Sequence, residues 1–175
     1  VIQQGWGSVI DNLQRNGVTM NRLTHDTDLT LTIYRIDKYE STPKPYEKHY
    51  LHKNVQYHRE KQAIHLLAGD YIIPTRQPAK RYLIETLEPN APDAFFAWNF
   101  FDAVLQEKEY YSDYVFEDMA AGMLKNNPTL KQQLEDKKAT DPAFAKDGAA
   151  QLDFVYRHSK YLEPVYMRYP VFRID

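Results

Sequence analysis

The stretch GDYIIPTRQPAKRYLIETLEPNAPDAFFAWNFFD, Gly69 to Asp102, is where the chain changes from one kind of secondary structure to another. Ala68-Gly69-Asp70 reads as a turn, and Tyr71 to Ile73 as a short strand closed by Pro74. Pro78 then sits where a helix starts, and Ala79, Leu83 and Leu87 recur every four residues, as one buried helix face requires. Arg81 and Glu85 are spaced to pair on the outer face. Pro89 and Pro92 bracket a second turn, and a dense aromatic run ends the stretch. Large apolar rings in such density are seldom left in water, so Trp98, Phe100 and Phe101 are expected to anchor the junction between the β part and the helices.

Upstream, the pattern is mainly β from about Val18 to Pro74, after a short helix over Gly7 to Arg15. That helix sets Val9, Ile10 and Leu13 on one side, and Asn16-Gly17 supplies a left-handed stop. Asp28 to Tyr39 is the clearest strand. Leu29, Leu31 and Ile33 share one face, and Thr30, Thr32 and Tyr34 the other. Ser41-Thr42-Pro43-Lys44-Pro45 breaks the sheet. Tyr50 to Glu60 alternates again, with Leu51, Val55 and Tyr57 on one face and His52, Asn54, Gln56 and His58 on a polar one. A turn at Lys61-Gln62 into a further strand at Ala63 to Leu67 is expected.

Downstream the pattern is mainly helical, from Gln77 to Leu162. Ser112 or Asp113 is placed to cap a helix whose apolar stripe runs Val115, Phe116, Met119, Ala120, Met123, Leu124. Asn127-Pro128 opens another helix, with Leu130 and Leu134 inward, and Asp141-Pro142 restarts the chain. Asp147 caps a last helix carrying Leu152, Val155 and Tyr156. Tyr169 to Ile174 reads as an edge strand with Pro170 near its start. The expected fold class is α+β: an antiparallel β layer, a small sheet or sandwich, packed with a group of short helices. One domain over residues 1–175 is expected, with 1–76 mainly β and 77–175 mainly helical.

At 175 residues the chain can bury roughly 70% of its unfolded surface, enough for a sizeable core. Its 22 basic and 24 acidic residues leave a net charge of −2, which gives no reason to expect a nucleic-acid partner. Cysteine is absent, so disulfides, thiolate zinc sites and a cysteine nucleophile are excluded. No apolar run approaches the roughly 20 residues a transmembrane helix needs, and no signal peptide is evident. The opening Val1 suggests a processed or excised piece. The 14 tyrosines suit a half-buried β surface or an interface.

Reaction chemistry is hard to find. His49 and His52 are three apart, so on a strand they face opposite ways, and His52 and His58 lie roughly 20 Å apart along one. No metal site is expected. Glu85, Glu88, Asp93 and Asp102 crowd the quoted stretch, and paired carboxylates could act as acid and base at roughly 5–9 Å separation. Helix pairing and capping account for the first three, while Asp102 is expected to orient a polar network. Ser8, Ser41, Ser112 and Ser159 lie in no nucleophile elbow. Six scattered glycines build no phosphate loop, and Met119 and Met123 read as core. Two other function classes stay open beside a packed scaffold. One is a peptide- or glycan-binding module on the polar strand face with its tyrosines. The other is a hydrolase using Glu85, Glu88 or Asp102.

GDYIIPTRQPAKRYLIETLEP followed by PDAFFAWNFFD resembles the C-terminal region of large bacterial zinc carboxypeptidase-like proteins, of the carboxypeptidase A-like peptidases. Further blocks carry the likeness along nearly the whole chain. They are GWGSVIDNLQRNGV near the start, PYEKHY at Pro45–Tyr50, QEKEYYSDYVFED at Gln106–Asp118, AQLDFVYRHSKY at Ala150–Tyr161 and RYPVFRI at Arg168–Ile174. Lys48 stands where the family often has Gly, a departure that counts against a tight turn there. In such proteins the zinc-binding His-x-x-Glu and a later His belong to an N-terminal peptidase domain, and none of those positions is present here. The resemblance therefore implies a non-catalytic accessory domain with no cofactor of its own, zinc being held by the parent. The implied partner is the parent's peptidase domain, with peptide a further one, and the implied location is periplasmic or secreted. Tyr46, Glu47, His49, Gln77, Arg81, Asn99 and Asp102 fall in these blocks without a packing role. They are expected to converge at the seam between the sheet and the helix near Pro78, with Arg81 as a carboxylate partner.

Overall fold

A computed structural model describes residues 1–107 and 110–175. The fold is α+β, and the chain forms two compact units: Val1–Gln106 with Met167–Asp175, and Glu107–Tyr166.

In the first unit, α1 (Gly7–Arg15) buries Val9, Ile10 and Leu13, as its spacing requires. It is followed by β1 (Asn21–Arg22), β2 (Thr27–Ser41), β3 (His52–Leu66) and β4 (Tyr71–Ile72). β2 and β3 form a long antiparallel ladder from Thr27 opposite Leu66 to Ser41 opposite His52, and β1 pairs with β4. The expected turn at Lys61-Gln62 is absent. β3 runs straight through, with Lys61 opposite Thr32 and Gln62 opposite Leu31. Neither residue supplies the positive φ or fixed φ that Gly, Asn or Pro give a turn.

Both faces of β2 are covered. Leu31 and Ile33 join Ile64, Leu66 and Phe172 on one side, while Tyr34 and Ile36 enter the larger core with Phe96, Phe101 and Tyr169. The polar face expected for β3 is also corrected, because His52 is buried. The ladder shifts register around Lys38, and Asn54 takes φ +53°. This bulge lets His52 and Val55, three apart, both face inward.

The Gly69-Asp70 turn does more than reverse the chain. Gly69 has φ +104°, and a Cβ there would meet Gln4 Oε1 at 2.7 Å. The buried Asp70 carboxylate accepts hydrogen bonds from the amides of Gln4 (2.8 Å) and Leu67 (2.9 Å). One side chain thus ties the N-terminal segment to the end of β3.

α2 (Lys80–Leu87) buries Leu83 and Leu87 as expected. Residues 94–102 then pass through successive turns into a 3₁₀ turn, Asp102–Leu105. Of the expected aromatic anchors Phe101 is fully buried and Phe100 partly buried against the same core, while Trp98 is only half-buried. Phe95 and Phe96 are buried instead. A chain of turns has no fixed period, so sequence spacing could not say which rings point inward. The tail meets β2 and the N-terminal segment through isolated bridges, Thr32 to Arg173 and Ile2 to Val171.

The second unit holds α3 (Asp113–Asn126), α4 (Pro128–Thr140) and α5 (Gly148–Arg157). They share a core of Phe116, Ala120, Leu130, Leu134, Phe144, Val155 and Tyr156. Asn127 caps α4 by accepting from the Leu130 amide, and Asp147 caps α5 by accepting from the Ala150 amide. Ser112 precedes α3 without a side-chain cap, and Val115 of the expected stripe is exposed. Among the described residues no helix is long and apolar enough to cross a membrane.

One cross-strand pair has a pH signature. His65 stands opposite Asp28 in the ladder, with Nδ1 2.8 Å from Asp28 Oδ1. The Asp28 hydrogen bond, then its charge, raises the His65 pKa. A raised folded value means that the pair's stabilisation is present below the unfolded pKa and fades as pH rises through the folded one. An NMR titration should give His65 a midpoint above about 6.5, the ordinary histidine value. Asp28→Asn should lower that midpoint. An unchanged value would remove Asp28 as the cause.

Candidate recognition site at the hairpin end

Residues 42–51 join β2 to β3 and are held at two levels. The Thr42 amide donates to the Leu51 carbonyl at 2.9 Å. Further out, the amides and carbonyls of Tyr46 and His49 bond each other at 2.8 Å in both directions. The two residues between them are left-handed, Glu47 at φ +48° and Lys48 at φ +69°. A two-residue hairpin turn demands that geometry, but Asn and Gly usually supply it. A side chain held there costs on the order of 1–2 kcal/mol per residue. The tight turn forms although Lys48 stands where Gly would be easier.

Beneath this turn lies a hydrogen-bonded chain. The Asn99 amide nitrogen donates to the Tyr50 carbonyl at 3.0 Å, which fixes the amide's orientation. Asn99 Oδ1 is then the acceptor for His49 Nδ1–H at 3.1 Å. His52 Nε2–H donates to Asp102 Oδ1 at 2.9 Å, and His52 Nδ1 accepts from the Ser41 hydroxyl at 3.0 Å. The second Asn99 amide hydrogen falls toward the Asp102 carboxylate, 3.5 Å away. Asn99 is itself left-handed, at φ +67°. Among the described residues five non-glycine positions have positive φ, and Glu47, Lys48 and Asn99 are three of them, so backbone strain gathers here. The His52 ring is wedged between Tyr39 (4.8 Å) and Phe96 (5.0 Å), which locks the base of the chain to the core.

Above the chain the surface is aromatic. Trp98 meets His49 at 5.6 Å and Tyr46 at 6.1 Å between ring centroids. Tyr46 is 59% exposed and Tyr50 54%. The result is a rigid polar base carrying partly exposed rings.

Of the residues expected at the seam, Tyr46, His49, Asn99 and Asp102 come together, and Glu47 sits in the strained turn beside them. The meeting place differs from the expected one. It is the end of the β2–β3 hairpin against residues 96–102, away from Pro78. Gln77 instead bonds the backbone of Thr19 and Pro74. Arg81 extends into solvent, its side chain 94% exposed, and among the described residues its ion-pair partner is Glu85 at 3.8 Å. A helix-surface residue one turn from its pairing partner has no reason to cross to a sheet.

Ser41, His52 and Asp102 form a serine–imidazole–carboxylate relay of the type that activates hydroxyls. Acyl transfer also needs donors for a developing oxyanion. The amides flanking the relay are committed elsewhere, Thr42 to Leu51 and His52 to Ala97 at 3.0 Å. The relay fits a positioning role, holding Asp102 and the turn. The other expected acids are separate: Glu88 accepts from the Tyr34 hydroxyl at 2.9 Å, and Glu85 faces Arg81. Among the described residues no group of three His, Asp or Glu is placed to hold a metal ion.

Ser41, His52 and Trp98 are site residues that sequence reading did not place at the seam. Ser41 and His52 are cross-strand neighbours closing one hairpin, which was legible once the two strands were paired. The burial of His52 depended on the bulge. No protein-family model matches the chain, and no curated protein or solved structure matches it.

Proposed function

We propose that this chain is a non-catalytic accessory domain of an exported zinc carboxypeptidase-like protein, and that it docks the peptidase domain through the hairpin end. The family reading rests on the resemblance of the sequence blocks. The docking reading rests on one observation: a strained turn holds Tyr46 beside Trp98 and His49, on a base fixed by Asn99 and Asp102. Strain of this kind persists only where surrounding structure enforces it, and it clusters at sites of recognition. Half-exposed Tyr and Trp on a rigid base have the make-up of interface anchors, which bury large areas at low entropy cost. Zinc would belong to the peptidase domain, so the isolated chain should retain well under one zinc per molecule after dialysis.

The test is titration calorimetry of this chain against the peptidase domain encoded in the same polypeptide. Tyr46→Ala and Trp98→Ala should each weaken binding by about tenfold or more, as anchor residues do. Ile84→Ala, an exposed α2 position outside the hairpin-end cluster, should leave it unchanged. Equal binding by all variants would move the interface elsewhere. A parent sequence with no peptidase domain would end the reading.

A further inference from the structure

A second site lies in the same unit, between α2, β4 and the tail. It is a groove of about 530 Å³, within the roughly 300–1,000 Å³ of small-molecule sites. Its floor is apolar, formed by Ile73, Leu83, Leu87 and Phe172. Ile84 and Ile174 stand on its rim, 49% and 56% exposed. The floor side chains Leu83, Leu87 and Phe172 are themselves buried, so the apolar surface left to water is that of the rim isoleucines.

The ends of the groove differ in charge. At one end Glu88, the one acid among the described residues that line it, is occupied by Arg173 (3.4 Å) and the Tyr34 hydroxyl (2.9 Å). At the other end the groove opens at Thr75 and Lys80 into a shallower polar mouth that adds Arg76 and Gln77. Among the described residues neither Arg76 nor Lys80 has an acidic partner. α2 begins beside this mouth, with no side-chain cap at Ala79 and no acid in its first turn. The field there favours an anion.

We propose that the groove binds a single-chain amphiphile with a carboxylate head, of the medium-chain fatty acid class. The alkyl chain lies on Leu83, Leu87 and Phe172 under Ile84, and the carboxylate meets Lys80 and Arg76. An apolar chain alone would use the floor and leave the two cations idle. A small anion alone would leave Ile84 and Ile174 in water. A ligand with both parts answers both observations. The proposal is independent of the hairpin-end reading, since no residue is shared.

The test compares decanoate with decanol at low ionic strength, below micelle formation, followed by methyl NMR shifts and calorimetry. Decanoate should bind at one site, at least about tenfold tighter than decanol, and should shift the methyl groups of Ile73 and Ile84. The paired change Arg76→Ala with Lys80→Ala should bring decanoate down to the affinity of decanol. Ile84→Glu should weaken both ligands at least tenfold. These side chains are exposed, so each variant should melt like the parent; if Ile84→Glu does not, Ile84→Ser replaces it, and if the paired change does not, Arg76→Gln with Lys80→Gln replaces it. Equal affinity of acid and alcohol would overturn the proposal, as would shifts centred elsewhere or no saturable binding. A short peptide with an apolar C-terminal residue that competes as well as decanoate would also overturn it, by assigning the groove to chain ends.

Discussion

Phe101→Ala is expected to cost about 3–5 kcal/mol, the range for removing a fully buried aromatic ring. Phe101 has no exposed surface, and its ring meets Trp6 edge-on at 5.0 Å, Tyr169 at 5.3 Å and Phe95 at 6.4 Å. Those three partners come from the N-terminal segment, the tail and the turns after α2. No one of them can move into the space without dragging its own segment, so the cavity should persist. Against a total stability of roughly 5–15 kcal/mol for a domain, the loss is large. Urea denaturation should show the midpoint falling well below that of Trp98→Ala, whose half-exposed ring leaves a smaller void. If Trp98→Ala proved the more damaging of the two, the assignment of the core anchor would be wrong.

Asp70→Ala should be the next most costly change, by about 2–4 kcal/mol, since it leaves two part-buried amide donors without the charged acceptor that had satisfied them. The Asp70 residue is 1% exposed, and its two oxygens each serve one amide, Gln4 and Leu67. Asp70→Asn retains one acceptor oxygen and should fall between the parent and the alanine variant. Hydrogen exchange adds a local readout: the Gln4 and Leu67 amides should lose protection first. A melting temperature unchanged by Asp70→Ala would mean that water replaces the carboxylate without loss.

The α+β class, α1, α2, the three later helices and the Gly69-Asp70 turn were legible because each rests on a local signal. Those signals are a four-residue repeat, a cap, or a residue that tolerates positive φ. What escaped was non-local. The burial of His52 follows from a bulge whose cause lies in the pairing of two strands, and strict alternation along β3 gave the opposite face. Trp98 and Phe101 are both aromatic in one run, and only the path of the turns decides which reaches Tyr169. The site was half legible. Tyr46, His49, Asn99 and Asp102 converge, while Gln77 and Arg81 serve their own neighbourhoods. Polar residues without a packing role are visible in sequence, but their mutual distances are not.

The Met167 amide donates to the Val104 carbonyl at 2.7 Å, so the chain departs from the first unit and rejoins it at nearly one point. Everything from Glu107 to Tyr166 is an excursion. The first unit also depends on the tail, because Tyr169, Val171 and Phe172 are buried in its cores. On a ribosome working at about 5–20 residues per second, residues 1–106 must therefore wait several seconds for their last pieces. The α3–α5 bundle can form late in that interval, once Tyr156, the last of its buried core residues, is made and before Tyr169 follows. Timing of synthesis thus places the helical excursion before the sheet that brackets it. The same geometry makes the excursion separable: a linker of a few glycines from Leu105 to Met167 should leave the β2–β3 hairpin and the groove beside α2 intact.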